Sequence, residues 1–206
     1  VQEGTKELPV TPEAVIEELD RLTTGEAIIT TEVGQTQMWA AQYYKYLRPH
    51  SLLTSGGLGT MGFGLPAPVG ATIGSPERTV CLFTGDGSFQ MSIHELGTIM
   101  EQQAPVKVIL MNNNYLGNVR QWQDMFFEGR RSFTKMLNPQ YKTISEAYHI
   151  PYGVAENRES LKAEVDKMLN TAGPYILECA VKEDDNIMPM VPPGKSIDEM
   201  LLEIDI

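Results

Sequence analysis

The sequence predicts an α/β fold, a doubly wound and mostly parallel sheet of about six strands with helices on both faces. Three observations predict it. Short β-rich apolar runs alternate with stretches of helical period along the chain. Residues 78–85 and 106–113 are apolar runs of the kind found in strands buried on both faces of a parallel sheet. The loops that end these two runs are 27 residues apart, counted from Asp86 to Asn113, about the length of one βαβ crossover.

The elements follow in order. Residues 11–22 place Thr11 at an N-cap, Pro12 at the first helical position and Val15, Ile16, Leu19 and Leu22 on one face, which predicts a helix. Residues 27–31 read as a short strand, followed by a helix from about Gln35 to Tyr44. Residues 51–55 read as a strand that leads into a small-residue stretch turning helical near Met61. The buried strand 78–85 comes next. Ser92 and Glu95 stand at capping-box spacing, so the helix 92–103 is expected to start at Ser92. After the second buried strand, 106–113, a helix runs from about Asn118 to Phe127. Thr143 and Glu146 repeat the capping-box spacing, residues 154–170 contain another helix, and 174–181 read as the last strand.

The tail is Pro-rich and then weakly helical. Its Ile187, Met188, Met190 and Val191 are too apolar for a solvated linker and suit a packed flap. This divides the chain into a linker (1–10), one domain (11–185) and a tail or flap (186–206). The first residues have no initiator Met and begin like a linker, as in a piece of a longer protein.

Sixteen basic against 27 acidic residues give a net charge of −11. No basic field exists to displace counterions from nucleic acid or to approach an anionic membrane. An anionic ligand would need a metal ion or backbone N–H groups to offset the repulsion. Cys81 and Cys179 each sit inside an apolar run and read as buried free thiols. No signal peptide and no apolar run long enough to span a bilayer are evident, so a cytoplasmic location is expected. His50, His94 and His149 form no cluster in the sequence.

The chemistry concentrates between residues 85 and 115. Ligands of open parallel sheets bind beyond the carboxyl ends of the strands. Gly85-Asp86-Gly87 ends one buried strand and Asn112-Asn113-Asn114 ends the next. A carboxylate and an amide carbonyl converging there make a hard oxygen site. Mg²⁺ prefers one or two carboxylates completed by phosphate oxygens and water. Asp86 therefore need not meet a phosphate itself; it can hold a cation that does. Gly85 and Gly87 let the backbone approach and donate, and Ser88 adds a hydroxyl.

A Gly-Asp-Gly followed one crossover later by Asn-Asn resembles the signature of thiamine-diphosphate-dependent enzymes. TTEVGQTQMWAAQYY (30–44), TSGGLGTMGFGLPAPVGA (54–71), GDGSFQMSIHEL (85–96), PVKVILMNNNYLGNVRQWQ (105–123), LNPQY (137–141) and PMVPPG (189–194) are similar to the C-terminal domain of the acetohydroxyacid (acetolactate) synthases, over about residues 11–205. The resemblance implies that Asp86, Asn113 and the Tyr115 carbonyl hold Mg²⁺, which binds the diphosphate of thiamine diphosphate. It places the terminal phosphate at Val33, Gly34, Gln35 and Thr36, the last standing where the family often has His. Gly59, Met61 and Met91 would face the pyrimidine, with Met61 as the wedge under the bent cofactor. Leu116, Gly117 and Asn118 would line the pocket, Asn118 replacing the family's usual Met. Trp122 would favour 2-ketobutyrate over pyruvate as second substrate, along with Asn118 as a specificity position.

The activity so implied is decarboxylation of pyruvate and condensation of its two-carbon unit with pyruvate or 2-ketobutyrate, for branched-chain amino acid synthesis. The activating glutamate would come from an N-terminal pyrimidine-binding domain, and FAD from a middle domain, both outside these 206 residues. No catalytic residue is expected in this stretch, which would be inactive alone; Glu32, Glu95 and Glu101 are no substitutes by position. A homodimer or tetramer and a regulatory small subunit are the implied partners. Two other readings remain open. The first is another thiamine enzyme, a pyruvate oxidase or a 2-keto acid decarboxylase, against which Trp122 within Arg-Gln-Trp-Gln argues. The second is a Rossmann-type module. Residues 57–62 fit G-x-G-x-x-G, but the acidic residue expected about 20 positions on is absent.

Overall fold

A computed structural model describes residues 10–203. Within them the strands are β1 (Ile28–Thr31), β2 (Leu52–Leu53), β3 (Val80–Gly85), β4 (Val106–Asn112), β5 (Tyr152–Ala155) and β6 (Tyr175–Ala180). They form one sheet in the order β2-β1-β3-β4-β6-β5, and every pairing is parallel. The helices are α1 (Pro12–Thr23), α2 (Gln35–Tyr43), α3 (Pro66–Gly74), α4 (Asp86–Met91), α5 (Glu95–Gln102), α6 (Gly117–Phe126), α7 (Tyr141–Ala147) and α8 (Arg158–Asn170).

Alternation within each strand feeds two cores. Cys81, Phe83, Ile109, Met111, Leu177 and Cys179 pack on one face with residues of α1, α2 and α8. Leu82, Val106, Val108, Leu110 and Ile176 pack on the other with residues of α3, α4, α5 and α7. Since both faces are covered, these strands carry little polar alternation. Both cysteines are buried free thiols.

From β1 the chain first moves outward to β2 and then returns across the sheet to β3. The winding direction thus reverses between β1 and β3, the switch point at which open α/β sheets form their ligand crevice. The loops leaving these two strands carry Val33–Thr36 and Gly85–Ser88.

Local chemistry explains where the elements begin and where the sequence reading is corrected. Thr11 caps α1 by accepting from the Ala14 N–H (3.3 Å), with Pro12 at the first position. The helix expected near Met61 begins instead at Pro66. Residues 57–65 are held in turns because the buried Glu32 carboxylate accepts from the N–H groups of Gly62 (2.9 Å) and Gly64 (2.8 Å). Neither expected capping box forms. Before α5 the N–H groups of Glu95, Leu96 and Gly97 bond carbonyls three residues back, so the Ser92 hydroxyl has nothing to cap and is left without a partner. At α7 the helix starts at Tyr141, whose ring packs edge-on against Phe89. Thr143 then falls inside the first turn, bonded to the Gln140 side chain. Two elements, α4 and β5, have no separate counterpart among the expected ones. Asn157 caps α8 in a reciprocal box with Ser160.

Residues 1–9 of the expected linker and 204–206 of the tail lie outside the described residues. Val10 is fully buried and bridges Val181. In the tail, Ile187 is buried in the core, Met190 packs against it, and Met190 and Leu201 exchange two backbone hydrogen bonds (2.9 and 2.8 Å). Val191 is exposed. Residues 197–199 form a single 3-10 turn. Among the described residues no helix is long and apolar enough to cross a membrane.

Candidate functional site

A cavity of about 150 Å³ opens at the carboxyl ends of β1, β3 and β4. Val33, Gly34, Gln35, Thr36, Met61, Gly85, Asp86, Gly87, Ser88, Met91, Asn113, Tyr115, Leu116, Gly117 and Asn118 all line it. The fold thus gathers almost every site residue read from the sequence on one wall. Two stand off it. Gly59 sits in the 57–65 turn with a positive φ of 70° and is not part of the lining. Trp122 lies further along α6, 38% exposed, with its ring edge-on to Phe126 at 5.6 Å.

Three helices begin at this cavity. α2 starts at Gln35, α4 at Asp86 and α6 at Gly117, and none has a side-chain cap. Each first turn leaves N–H groups without an intrahelical acceptor and presents the positive end of its dipole. Such ends suit an anion. The glycines keep the approach open. A side chain at Gly34 (φ 127°) or Gly85 would meet nothing within 4 Å, so bare backbone faces the space there. Gly87 and Gly117 are glycine for the opposite reason. A Cβ at Gly87 would come within 2.6 Å of Leu116 Cδ2, and one at Gly117 within 2.0 Å of Gln35 Oε1.

Asp86 is 1% exposed. Its Oδ2 accepts from Asn138 Nδ2 (2.6 Å) and its Oδ1 from the Gly87 N–H (3.0 Å). Burial pushes its pKa up to about 6, and these hydrogen bonds only partly offset the loss of water. Asn113 is buried, and its Oδ1 accepts from the Tyr115 N–H (3.0 Å), an Asx turn that aims the loop at the cavity. Thr36 donates to the Glu32 carbonyl (3.4 Å) and Ser88 to the Val33 carbonyl (3.2 Å), so the latter hydroxyl ties the two switch-point loops together. Inside the wall Asn118 Oδ1 and Trp39 Nε1 are buried without partners.

Asn138 is the residue that single-position reasoning missed. Besides Asp86, its amide reaches Asn112 Oδ1 (2.9 Å) and Asn114 Oδ1 (3.2 Å), so one side chain gathers both loops of the hard oxygen site. The available signal was the Asn-Pro dipeptide at 138–139, a turn former. Glu32 is no substitute by position for the activating glutamate. It is fully buried with its pKa raised by desolvation, and it acts as the acceptor that shapes the 57–65 turn beside Met61. Among the described residues no three His, Cys, Asp or Glu side chains cluster as a metal site; the histidines stand apart.

Comparison with known proteins agrees with this geometry. Residues 32–179 match the family described as thiamine pyrophosphate enzyme, C-terminal TPP binding domain. The chain is 45% identical over 204 residues to acetolactate synthase 2, chloroplastic, of Nicotiana tabacum, covering 95% of this chain and 31% of that protein. It is 47% identical over 177 residues to the acetolactate synthase isozyme 2 large subunit of Escherichia coli (strain K12), covering 85% of this chain and 32% of that protein. The chain spans about a third of the length of these relatives.

Proposed function

Since the chain belongs to the thiamine pyrophosphate enzymes by way of their C-terminal TPP binding domain, we propose that it is the diphosphate- and Mg²⁺-binding domain of an acetolactate synthase catalytic subunit. The observation that carries this reading is the convergence of three uncapped helix N-termini and the Asp86–Asn113 oxygen pair on one cavity. In this reading residues 11–185 are the domain and 186–206 a flap. The residues fit the groups they would hold. Mg²⁺ takes few carboxylates and completes its shell with phosphate oxygens, matching one carboxylate, the Asn113 amide and the Tyr115 carbonyl. The cation would supply the charge that buried Asp86 lacks.

Val33, Gly34, Gln35 and Thr36 would hold the terminal phosphate at the start of α2, and Gly85, Gly87 and Ser88 would approach the diphosphate from α4. Met61 and Met91 would support the pyrimidine end, with Gly59 meeting it from the turn outside the wall. Leu116, Gly117 and Asn118 would form the side wall, where the orphaned Asn118 Oδ1 offers an acceptor. Trp122, partly exposed beyond the wall, would contact the second substrate. When bound, thiamine diphosphate supplies the carbon nucleophile and electron sink for decarboxylating a 2-keto acid. This chain's residues position its tail and offset its charge.

The substrates in this reading are pyruvate, then pyruvate or 2-ketobutyrate; the relatives' name supports acetolactate as a product. A cavity of about 150 Å³ is small beside the roughly 300–1,000 Å³ of ordinary ligand pockets. That supports a second wall from an N-terminal pyrimidine-binding domain, of the same or a partner subunit in a homodimer or tetramer, which would also bring the activating glutamate. Leu58, Phe133 and Leu137 are almost fully exposed on segments flanking the cavity, as a further wall would require. FAD would sit in a middle domain, and the E. coli relative's being a large subunit supports a small regulatory partner. The test is the full-length enzyme fed pyruvate. Acetolactate is the expected product, with Mg²⁺-dependent thiamine diphosphate binding lost in Asp86→Ala. Acetaldehyde or acetate without acetolactate would instead make it a decarboxylase or oxidase.

A further inference from the structure

The start of α2 and the start of α6 flank the cavity, yet they follow strands that are not neighbours, since β3 lies between β1 and β4. Something must fix their spacing. Gln35, the first residue of α2, donates from Nε2 to Gln121 Oε1 at 2.8 Å, and Gln121 is one turn into α6. Both side chains are at least nine-tenths buried. The Gln35 amide has no freedom to turn. Its Nε2 also donates to the Asp185 carbonyl (3.1 Å), and its Oε1 fills the space that the missing side chain of Gly117 leaves open. Gln121 is held just as firmly. Its Oε1 accepts from the Ile187 N–H (3.0 Å) and its Nε2 donates to the Ile187 carbonyl (2.8 Å). The bridge therefore joins three segments, the first turn of α2, the first turns of α6 and residues 185–187 of the tail.

From this we infer that Gln121 is a positioning residue for cofactor binding. Acting through the Gln35 side chain, it holds the first turn of α2 at a fixed distance from the Asn113–Gly117 loop, so that the N–H groups of one and the oxygen donors of the other meet the same ligand. Gln121 does not line the cavity and touches no ligand itself. The inference rests on the thiamine diphosphate reading above. It adds that the grip on the diphosphate depends on a side-chain bridge between two helices. Losing a buried hydrogen bond and leaving its partners unpaired is expected to weaken the grip about tenfold.

The experiment is a double-mutant cycle in the full-length enzyme with Gln35→Met, Gln121→Met and the pair. Thiamine diphosphate is titrated at fixed Mg²⁺ and followed by tryptophan fluorescence, for which Trp39 in the cavity wall is a built-in reporter. Each single variant should raise the dissociation constant about tenfold, the double variant no more than either single, and kcat of the Gln121→Met enzyme at saturating cofactor should change less than threefold. Gln121→Asn, which keeps the amide but loses one methylene of reach, is the milder variant should Gln121→Met not fold, and it should show the same rise. Unchanged affinity with a lowered melting temperature would reduce the bridge to a structural tie and overturn the inference. So would additive effects of the two singles. Failure of the unmodified enzyme to bind thiamine diphosphate is a separate result, which overturns the functional reading and the inference with it.

Discussion

Asp86→Asn should make the metal-free protein more stable at neutral pH while abolishing Mg²⁺-dependent cofactor binding. Burial raises the Asp86 pKa from 3.8 to about 6. Between those values the folded protein binds more protons at this site than the unfolded chain does. Stability contributed by the site is therefore full below about pH 4 and is lost as pH rises through 6. Roughly two pH units at about 1.4 kcal/mol each set the penalty above pH 6 at about 3 kcal/mol. The asparagine variant does not carry it. Some of the gain is forfeited, because Asp86 Oδ2 accepts from Asn138 Nδ2 at 2.6 Å, and an amide NH₂ placed there forces one of the two side chains to turn. A net gain of about 1–2 kcal/mol remains, a rise in melting temperature of about 2–8 °C for a domain of this size. Thermal melts in EDTA at pH 8 and pH 4.5 test this, with the variant ahead at pH 8 and the advantage gone or reversed at pH 4.5. Added Mg²⁺ and thiamine diphosphate should raise the melting temperature of the parent alone. A variant less stable than the parent at pH 8 without metal would refute the argument that burial holds the carboxylate there at a cost.

Three further outcomes are expected. Glu32→Gln leaves one of the Gly62 and Gly64 N–H groups facing an NH₂ instead of an acceptor, which should cost about 1–3 kcal/mol; hydrogen exchange at those two amides should quicken, and unchanged protection there would show that Glu32 does not hold the turn. Gly87→Ala forces a Cβ to within 2.6 Å of Leu116 Cδ2 and 3.2 Å of Met136 Sδ, so a loss of about 1–3 kcal/mol from overpacking and weaker cofactor binding should appear in melts and titrations. Asn138→Ala removes a hydrogen bond that holds the Asp86 pKa down, so the pH below which Mg²⁺-dependent binding is lost should move upward from about 6; a pH profile of binding that matches the parent would exclude that role.

Patterns short enough to be local were legible in the sequence. The apolar runs at 78–85 and 106–113 announced strands buried on both faces, since side chains that alternate into two cores leave little room for polar residues. Thr11 and Pro12 announced the start of α1 because a cap needs only the next three residues. Asp86 and Asn113 could be paired because one crossover has a characteristic length and brings consecutive strand ends to one sheet edge. The capping boxes at Ser92 and Thr143 matched the pattern and failed in the fold. In each case the neighbouring backbone had already satisfied or displaced the helix start, which no three-residue spacing reveals. The delayed start of α3 has a distant cause as well, in that the 57–65 turn is built on the carboxylate of Glu32, 30 residues before Gly62.

What the sequence determined by itself was the chemistry. Its glycines, its carboxylate and its asparagines stand at strand ends, and spacing within one chain segment is enough to specify such a set. Beyond the Asp86–Asn113 pair, tertiary structure decided which of them share a space. The reversal of winding between β1 and β3 brings Ser88 against Val33, the bridge from Gln35 to Gln121 spans 86 residues, and Asn138 reaches back 52 residues to Asp86. Those contacts depend on the packing of whole elements against a common sheet, and packing of that kind leaves no mark at any one position.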